Sequence, residues 1–292
     1  MRRFLALTGT LVFAAACSKG DTATAKTDST ATPAVAAAPA AATAAPNAVT
    51  VHMTDYAFAG PAQIPAGVTT FTAVNDGKTL HHLSIVRLDS GKTVADLEAE
   101  LAKPAPPPTW AVPEGGPNAP DPGSASNATL DLQPGNYAMV CFVDVPGGIP
   151  HFAKGMVKGF TVTAAPAGQA ASAPTPDATV TLSDYAFNVS TPLTAGKHTI
   201  EVKNTAAQPH ELELVRLAPG KTANDVIGWL GKMAGPPPGS AIGGVGMMVA
   251  NTPNYFTTDL TPGNYAFICF VPDAKDGKPH FAHGMIKSFT IS

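Results

Sequence analysis

Residues 137–156 read YAMVCFVDVPGGIPHFAKGM, and residues 265–285 read YAFICFVPDAKDGKPHFAHGM. Each stretch runs from a tyrosine to a cysteine (Cys141, Cys269), then a histidine (His151, His280), then a methionine (Met156, Met285). They are one segment written twice, and the duplication extends through the chain. Asp55-Tyr56-Ala57-Phe58 returns as Asp184-Tyr185-Ala186-Phe187, and Val86-Arg87-Leu88 as Val215-Arg216-Leu217, both at an offset of 129. Pro134-Gly135-Asn136-Tyr137 returns as Pro262-Gly263-Asn264-Tyr265 at an offset of 128. A period this long marks a duplicated domain and not a solenoid repeat. The copies are expected at 48–163 and 178–292, joined by an Ala/Pro-rich linker at 164–177.

Each copy reads as short strands joined by turns. Phe71, Ala73 and Asn75 alternate with Thr70, Thr72 and Val74 after a Pro65-Ala66-Gly67 turn. Apolar runs recur at Tyr137 to Val143 and Tyr265 to Val271, then at Met156 to Val162 and Met285 to Ile291. One helix is expected in each copy. Thr93 precedes Val94, Leu97 and Leu101 with Asp96 in the first turn, and Thr222 precedes Val226, Trp229 and Leu230 with Asp225. The composition agrees, with 27 Gly, 29 Pro and only 13% charged residues in 292. The predicted class is all-β: two tandem Greek-key β-sandwich domains, each with one short helix.

Other classes are excluded. The net charge is −3 and no Lys/Arg cluster exists beyond Arg2-Arg3, so nucleic acid is not a partner. No apolar run reaches the ~20 residues that a membrane-spanning helix needs. Gly91-Lys92-Thr93 and Gly220-Lys221-Thr222 lack the earlier glycine of a phosphate-binding loop, because Val86 and Val215 stand there.

Residues 1–17 pair a basic start with an apolar run, Phe4 to Ala16, and end at Ala14-Ala15-Ala16-Cys17. This resembles a bacterial lipoprotein signal, in which Cys17 takes the lipid; an ordinary secretory signal is the alternative. Residues 18–47, rich in Ala, Thr and Pro, are expected to form a disordered tether. The protein is thus expected in the cell envelope, periplasmic or otherwise outside the cytoplasm, touching the membrane only through its N-terminal lipid.

Cys141 and Cys269, one per copy, do not make a disulfide scaffold. A buried small hydrophobe is one reading of each. The other follows from the neighbours: thiolate, imidazole and thioether in one loop suit a copper electron-transfer site that still needs one imidazole. His81 and His210 align at 129 and supply it, whereas His82 aligns with Glu211. Strand alternation puts His81, Leu83 and Ile85 on one face, as it does His210, Leu212 and Leu214. His82, Ser84, Glu211 and Glu213 point the other way.

Here the chain resembles the cupredoxin family of blue copper proteins. The matching text is Asn75 to His81, Tyr137 to Cys141 and His151 to Met156, and again Asn204 to His210, Tyr265 to Cys269 and His280 to Met285. The Cys-to-His gap, nine residues in one copy and ten in the other, is nearer to copper nitrite reductases than to plastocyanin or azurin. The resemblance implies two type 1 copper sites, His81/Cys141/His151/Met156 and His210/Cys269/His280/Met285. It also implies one-electron exchange with redox partner proteins of the envelope. Val140 and Phe142 flank Cys141, and Ile268 and Phe270 flank Cys269. No histidine stands beside either cysteine to hold a second type of copper, so a carrier and not an enzyme is expected. Copper delivery and a metal-free binding module remain alternatives. Met247-Met248 beside the glycines 243, 244 and 246 reads as a Gly-rich loop capping the second site.

Overall fold

Alternation of buried and exposed side chains sets the strands. In Asn47–Thr54 the buried positions are Val49, Val51 and Met53. In Gly67–Asn75 they are Thr69, Phe71, Ala73 and Asn75. The computed structural model describes residues 44–103, 107–166 and 171–292. The expected signal at 1–17, its Cys17 and most of the 18–47 tether lie outside the described residues, as do 167–170 of the linker.

The chain is mostly β, arranged in two large sheets. One sheet has eight strands in the order Ala186–Val189, Ala178–Ser183, Gly196–Asn204, Asn254–Leu260, Ala125–Leu132, Gly67–Asn75, Asn47–Thr54, Ala57–Ala59. The other has nine, in the order Ile286–Ile291, Gly263–Ile268, His210–Leu217, Gly239–Met248, Ala111–Gly115, Ser84–Leu88, Gly135–Val140, Val157–Thr163, Gln63–Pro65. In each order the first four strands come from the second copy and the rest from the first. Equivalent strands occupy mirrored places, so the copies meet edge to edge about an approximate two-fold. Both sheets run through the join.

Buried residues from both sheets form one core per copy. Val51, Phe71, Ile85, Met139 and Cys141 belong to the first, and Val180, Ile200, Leu214, Phe267 and Cys269 to the second. The helices α1 (Val94–Leu101) and α2 (Ala223–Leu230) cover the outer face of the nine-stranded sheet. Leu97 packs with Val86, Leu88, Ala138 and Val140, and Val226 packs with Val215, Leu217, Ala266 and Ile268. Each helix starts with a capping box: Thr93 with Asp96, and Thr222 with Asp225.

The join corrects one sequence expectation. Gly239–Met248 is a central strand and not a loop over the second site, and Met248 is buried in the second core. It pairs with Ala111–Gly115 of the first copy at Met248 and Glu114, and Gly246 N–H donates to Gly116 O at 2.8 Å. Glycine is needed here for close approach. A Cβ at Gly116 would collide with Leu83 O, and one at the equivalent Gly244 with Leu212 O. Asn127 and Asn254 bind across the join, Asn127 Nδ2–H to Thr257 O at 2.8 Å and Asn254 Nδ2–H to Glu114 O at 2.9 Å.

Candidate metal centres

Each cysteine sits just past the end of a strand anchored by its own tyrosine. Tyr137 OH donates to Gln133 O at 2.9 Å and Tyr265 OH to Thr261 O at 2.8 Å, a tyrosine-corner arrangement that holds the strand leading to Cys141 or Cys269. The loop beyond Cys141 is a small hairpin, Asp144–Val145 against Ile149–Pro150. In the second copy a Pro272–Pro279 bridge closes the corresponding loop, which absorbs its extra residue.

A short 3-10 turn follows in both copies, His151–Lys154 and His280–His283. Gly155 and Gly284 end it with φ of 97° and 96°, the left-handed region that side chains disfavour. That reversal carries Met156 back beside Cys141. Cys141 N–H donates to Met156 O at 3.2 Å, and Met156 N–H to His151 O at 3.1 Å. The second copy repeats both bonds through Cys269, Met285 and His280, at 3.3 and 3.0 Å.

The structure brings three donor atoms together in each copy. His81, Cys141 and His151 lie within 4.8 Å of one another, as do His210, Cys269 and His280. His81 Nδ1 is 3.0 Å from His151 Nδ1, and Cys141 Sγ is 3.4 Å from His151 Nδ1. The corresponding separations in the second copy are 2.9 and 3.4 Å. All six side chains are fully buried. Met156 and Met285 are fully buried too, in the same cores as the cysteines.

Three supporting contacts were not read from the sequence. Asp55 Oδ1 lies 2.7 Å from His81 Nε2, and Asp184 Oδ1 lies 3.1 Å from His210 Nε2. A carboxylate only accepts, so it holds the ring proton on Nε2 and leaves Nδ1 free to face the other donors. Tyr56 stands edge-on to His151 at 4.8 Å between centroids, and Tyr185 to His280 at 5.6 Å. All four residues belong to the repeated Asp-Tyr-Ala-Phe text, which was the available signal. The third contact involves the pair that alternation turned away from the ligands. Phe142 N–H donates to His82 Nε2 at 2.8 Å, and Phe270 N–H donates to Glu211 Oε1 at 2.9 Å. One role, holding the amide after the cysteine, is filled by two different residue types.

Burial keeps the converging donors uncharged on their own. Burial pushes the Cys141 thiol up to about 12 and raises Cys269 as well. Burial, reinforced by the facing His81 or His210, pulls His151 and His280 down to about 4, so both rings are neutral ligands at pH 7. His81 and His210 are lowered by burial against the opposing pull of their aspartates. Among the described residues no Lys or Arg is grouped with the three donors, and a bound metal would supply the positive charge that makes the thiolate. Two imidazoles, a thiolate and a nearby thioether are the donor chemistry of copper, so the residues fit that ion.

A third cluster, Asp273, Asp276 and His283, also gathers within 4.8 Å. Its carboxylates are engaged in their own turn: Asp273 Oδ1 accepts from Lys275 N–H at 2.8 Å and Asp276 Oδ1 from Lys278 N–H at 3.0 Å.

No protein-family model and no curated protein matches the chain. Solved structures similar to it include dithionite-reduced auracyanin from Roseiflexus castenholzii, at 22% identity and a TM-score of 0.28, covering 42% of this chain and 99% of that one. Copper nitrite reductase from Nitrosomonas europaea is 16% identical with a TM-score of 0.26, covering 84% of this chain and 93% of that one. Blue copper oxidase from the same organism is 12% identical with a TM-score of 0.25, over 84% and 86%. The expectation of a carrier and not an enzyme is corrected here. The similar structures include a reductase and an oxidase, and one fold hosts both carriers and enzymes.

Proposed function

We propose that each copy binds one copper ion in a cupredoxin-like site and that the chain exchanges single electrons through these sites. The ligands are His81, Cys141, His151 and Met156 in the first copy, and His210, Cys269, His280 and Met285 in the second. One observation carries this reading: the same three donors, two imidazoles and one thiol, converge, buried, in two copies whose intervening sequences differ. Copper held there supplies a Cu(II)/Cu(I) couple.

The protein's own groups supply the rest. Asp55 and Asp184 keep the first histidines in the tautomer that presents Nδ1. Glu211 N–H donates to Cys269 Sγ at 3.5 Å, a bond that stabilises thiolate charge and tunes the couple. Tight burial of every ligand resists rearrangement between oxidation states, and little rearrangement means fast electron exchange. The redox partners are proteins of the cell envelope, reached by a chain exported and anchored through Cys17.

The test is a visible spectrum of copper-loaded protein through repeated reduction and reoxidation. An intense thiolate-to-copper band that bleaches and returns with full metal retention is expected, and His81→Ala removes the contribution of the first site. Metal lost at each cycle would favour copper delivery. A chain that retains no copper would leave a metal-free binding module.

A further inference from the structure

The two centres are not separate inside the molecule. An unbroken series of bonds and hydrogen bonds runs from one cysteine to the other through the join. Cys141 continues to Phe142, whose N–H donates to His82 Nε2 at 2.8 Å. His82 continues to Leu83, whose N–H donates to Pro117 O at 3.0 Å. Pro117 continues to Asn118, whose Nδ2–H donates to Leu212 O at 3.3 Å. Leu212 is bonded to Glu211, whose Oε1 accepts Phe270 N–H at 2.9 Å, and Phe270 follows Cys269.

We propose that this series makes the two sites one internal electron relay, with Asn118 as the link between the copies. The proposal rests on the copper reading above. The step balances without any other reactant: the donor site goes from Cu(I) to Cu(II) as the acceptor site goes from Cu(II) to Cu(I).

Four features support the relay. Electronic coupling falls off more slowly along covalent and hydrogen bonds than across van der Waals gaps, and here every through-space step is a hydrogen bond. The series has the same construction at both ends, because the residue after the first histidine holds the amide after the cysteine in both copies. Its members are buried polar groups: His82, Asn118 and Glu211 are each less than 10% exposed. Burying such groups costs free energy that apolar residues of similar size would not, so packing alone does not account for them. Asn118 has no counterpart in the second copy, where Gly246 stands at an offset of 128. A single amide at the centre of a duplicated molecule is what a link between the halves requires. Its backbone is seated there as well, Asn118 N–H donating to Gly244 O at 3.2 Å.

The experiment uses the full copper-loaded chain carrying Met285→Gln, so that loss of the thioether from the second site separates the potentials and bands of the two sites. A radical pulse reduces less than one site per molecule, and absorbance follows the redistribution. The relay predicts a relaxation whose rate is independent of protein concentration. Asn118→Leu, close in size but without the amide, should slow it by an order of magnitude while both midpoint potentials stay in place. His82→Leu should slow it likewise, and His82→Gln, which restores an acceptor for Phe142 N–H, should recover it. This pair decides the matter if Asn118→Leu fails to fold. Metal-free protein gives a second readout: the amides of Phe142 and Phe270 should exchange slowly with solvent, and His82→Leu should speed exchange at Phe142. Relaxation proportional to protein concentration, or unmoved by Asn118→Leu and His82→Leu alike, would overturn the relay and leave the copper sites standing. Fewer than two bound coppers per unmodified chain, or bound copper without blue absorbance, would instead overturn the copper reading, and the relay with it.

Discussion

Asp55 shows how much a single residue decides at these sites. Its carboxylate accepts from Lys78 N–H at 3.1 Å and meets His81 Nε2 at 2.7 Å, so it is oriented before it orients the ring. Burial pushes its pKa up, but the bonds from His81 and Lys78 outweigh that, and the carboxyl stays ionised at neutral pH. Asp55→Ala frees His81 to carry its proton on Nδ1, the atom that faces His151. Metal affinity of the first site should then fall by roughly 10–100-fold, the range for loss of an outer-shell partner. Asp184→Ala should do the same at the second site, and competition against a chelator measures both. The clustered histidines and cysteines were legible because Cys and His recur in register. The aspartates were not, because an Asp beside a Tyr in a turn has many ordinary uses and nothing local ties it to a ring 26 residues away.

At the scale of elements, local chemistry is where the sequence reads best. Thr93 with Asp96 and Thr222 with Asp225 announce two helices, and both form with their capping boxes complete. The strand beginning after the Pro65-Ala66-Gly67 turn runs Gly67–Asn75, matching the alternation of its side chains. The Gly239–Met248 stretch is misread as a loop for a physical reason. Its glycines have φ of 110° and 125° at Gly243 and Gly244, and their value lies in letting another strand come close, which is a tertiary fact. Gly155 makes the complementary case, where backbone conformation alone sets the requirement. Nothing lies within 4 Å of a Cβ placed there, so Gly155→Ala meets no clash and costs only the left-handed conformation, about 1–2 kcal/mol. Chemical denaturation of the metal-free protein should show that loss, and Gly155→Asn should recover part of it.

For the molecule as a whole, the join between copies was the least legible feature, since it is made of long-range pairing. Alternation placed Glu211 and Glu213 away from the ligands, as it did His82 and Ser84. All four are buried too, and Glu213 meets the neighbouring copy. Glu213 Oε2 accepts from Ala119 N–H at 3.2 Å, while Oε1 is buried without a hydrogen-bond partner among the described residues. Burial first, and the neighbouring Glu211 second, raise Glu213 well above its ordinary 4.5. A carboxyl raised on folding binds its proton more tightly in the native state. Its contribution is therefore fully present below about pH 4.5 and is lost as pH rises toward the folded value. Glu213→Gln keeps an acceptor for Ala119 and never carries the charge. The variant should gain stability over the parent as pH rises from 4.5 to 8, by about 1–3 kcal/mol at the upper end, and show no gain at pH 4. Thermal unfolding across that range measures it.

The central claim, two complete copper centres in one duplicated molecule, is tested most directly by metal analysis with visible absorbance on three proteins: the intact chain, Cys141→Ser and Cys269→Ser. Each copy gathers its own cysteine and both of its own histidines, so neither needs a ligand from across the join. The account predicts two coppers per intact chain and one blue centre surviving in each variant. One copper per intact chain, or loss of both centres from either substitution, would contradict it.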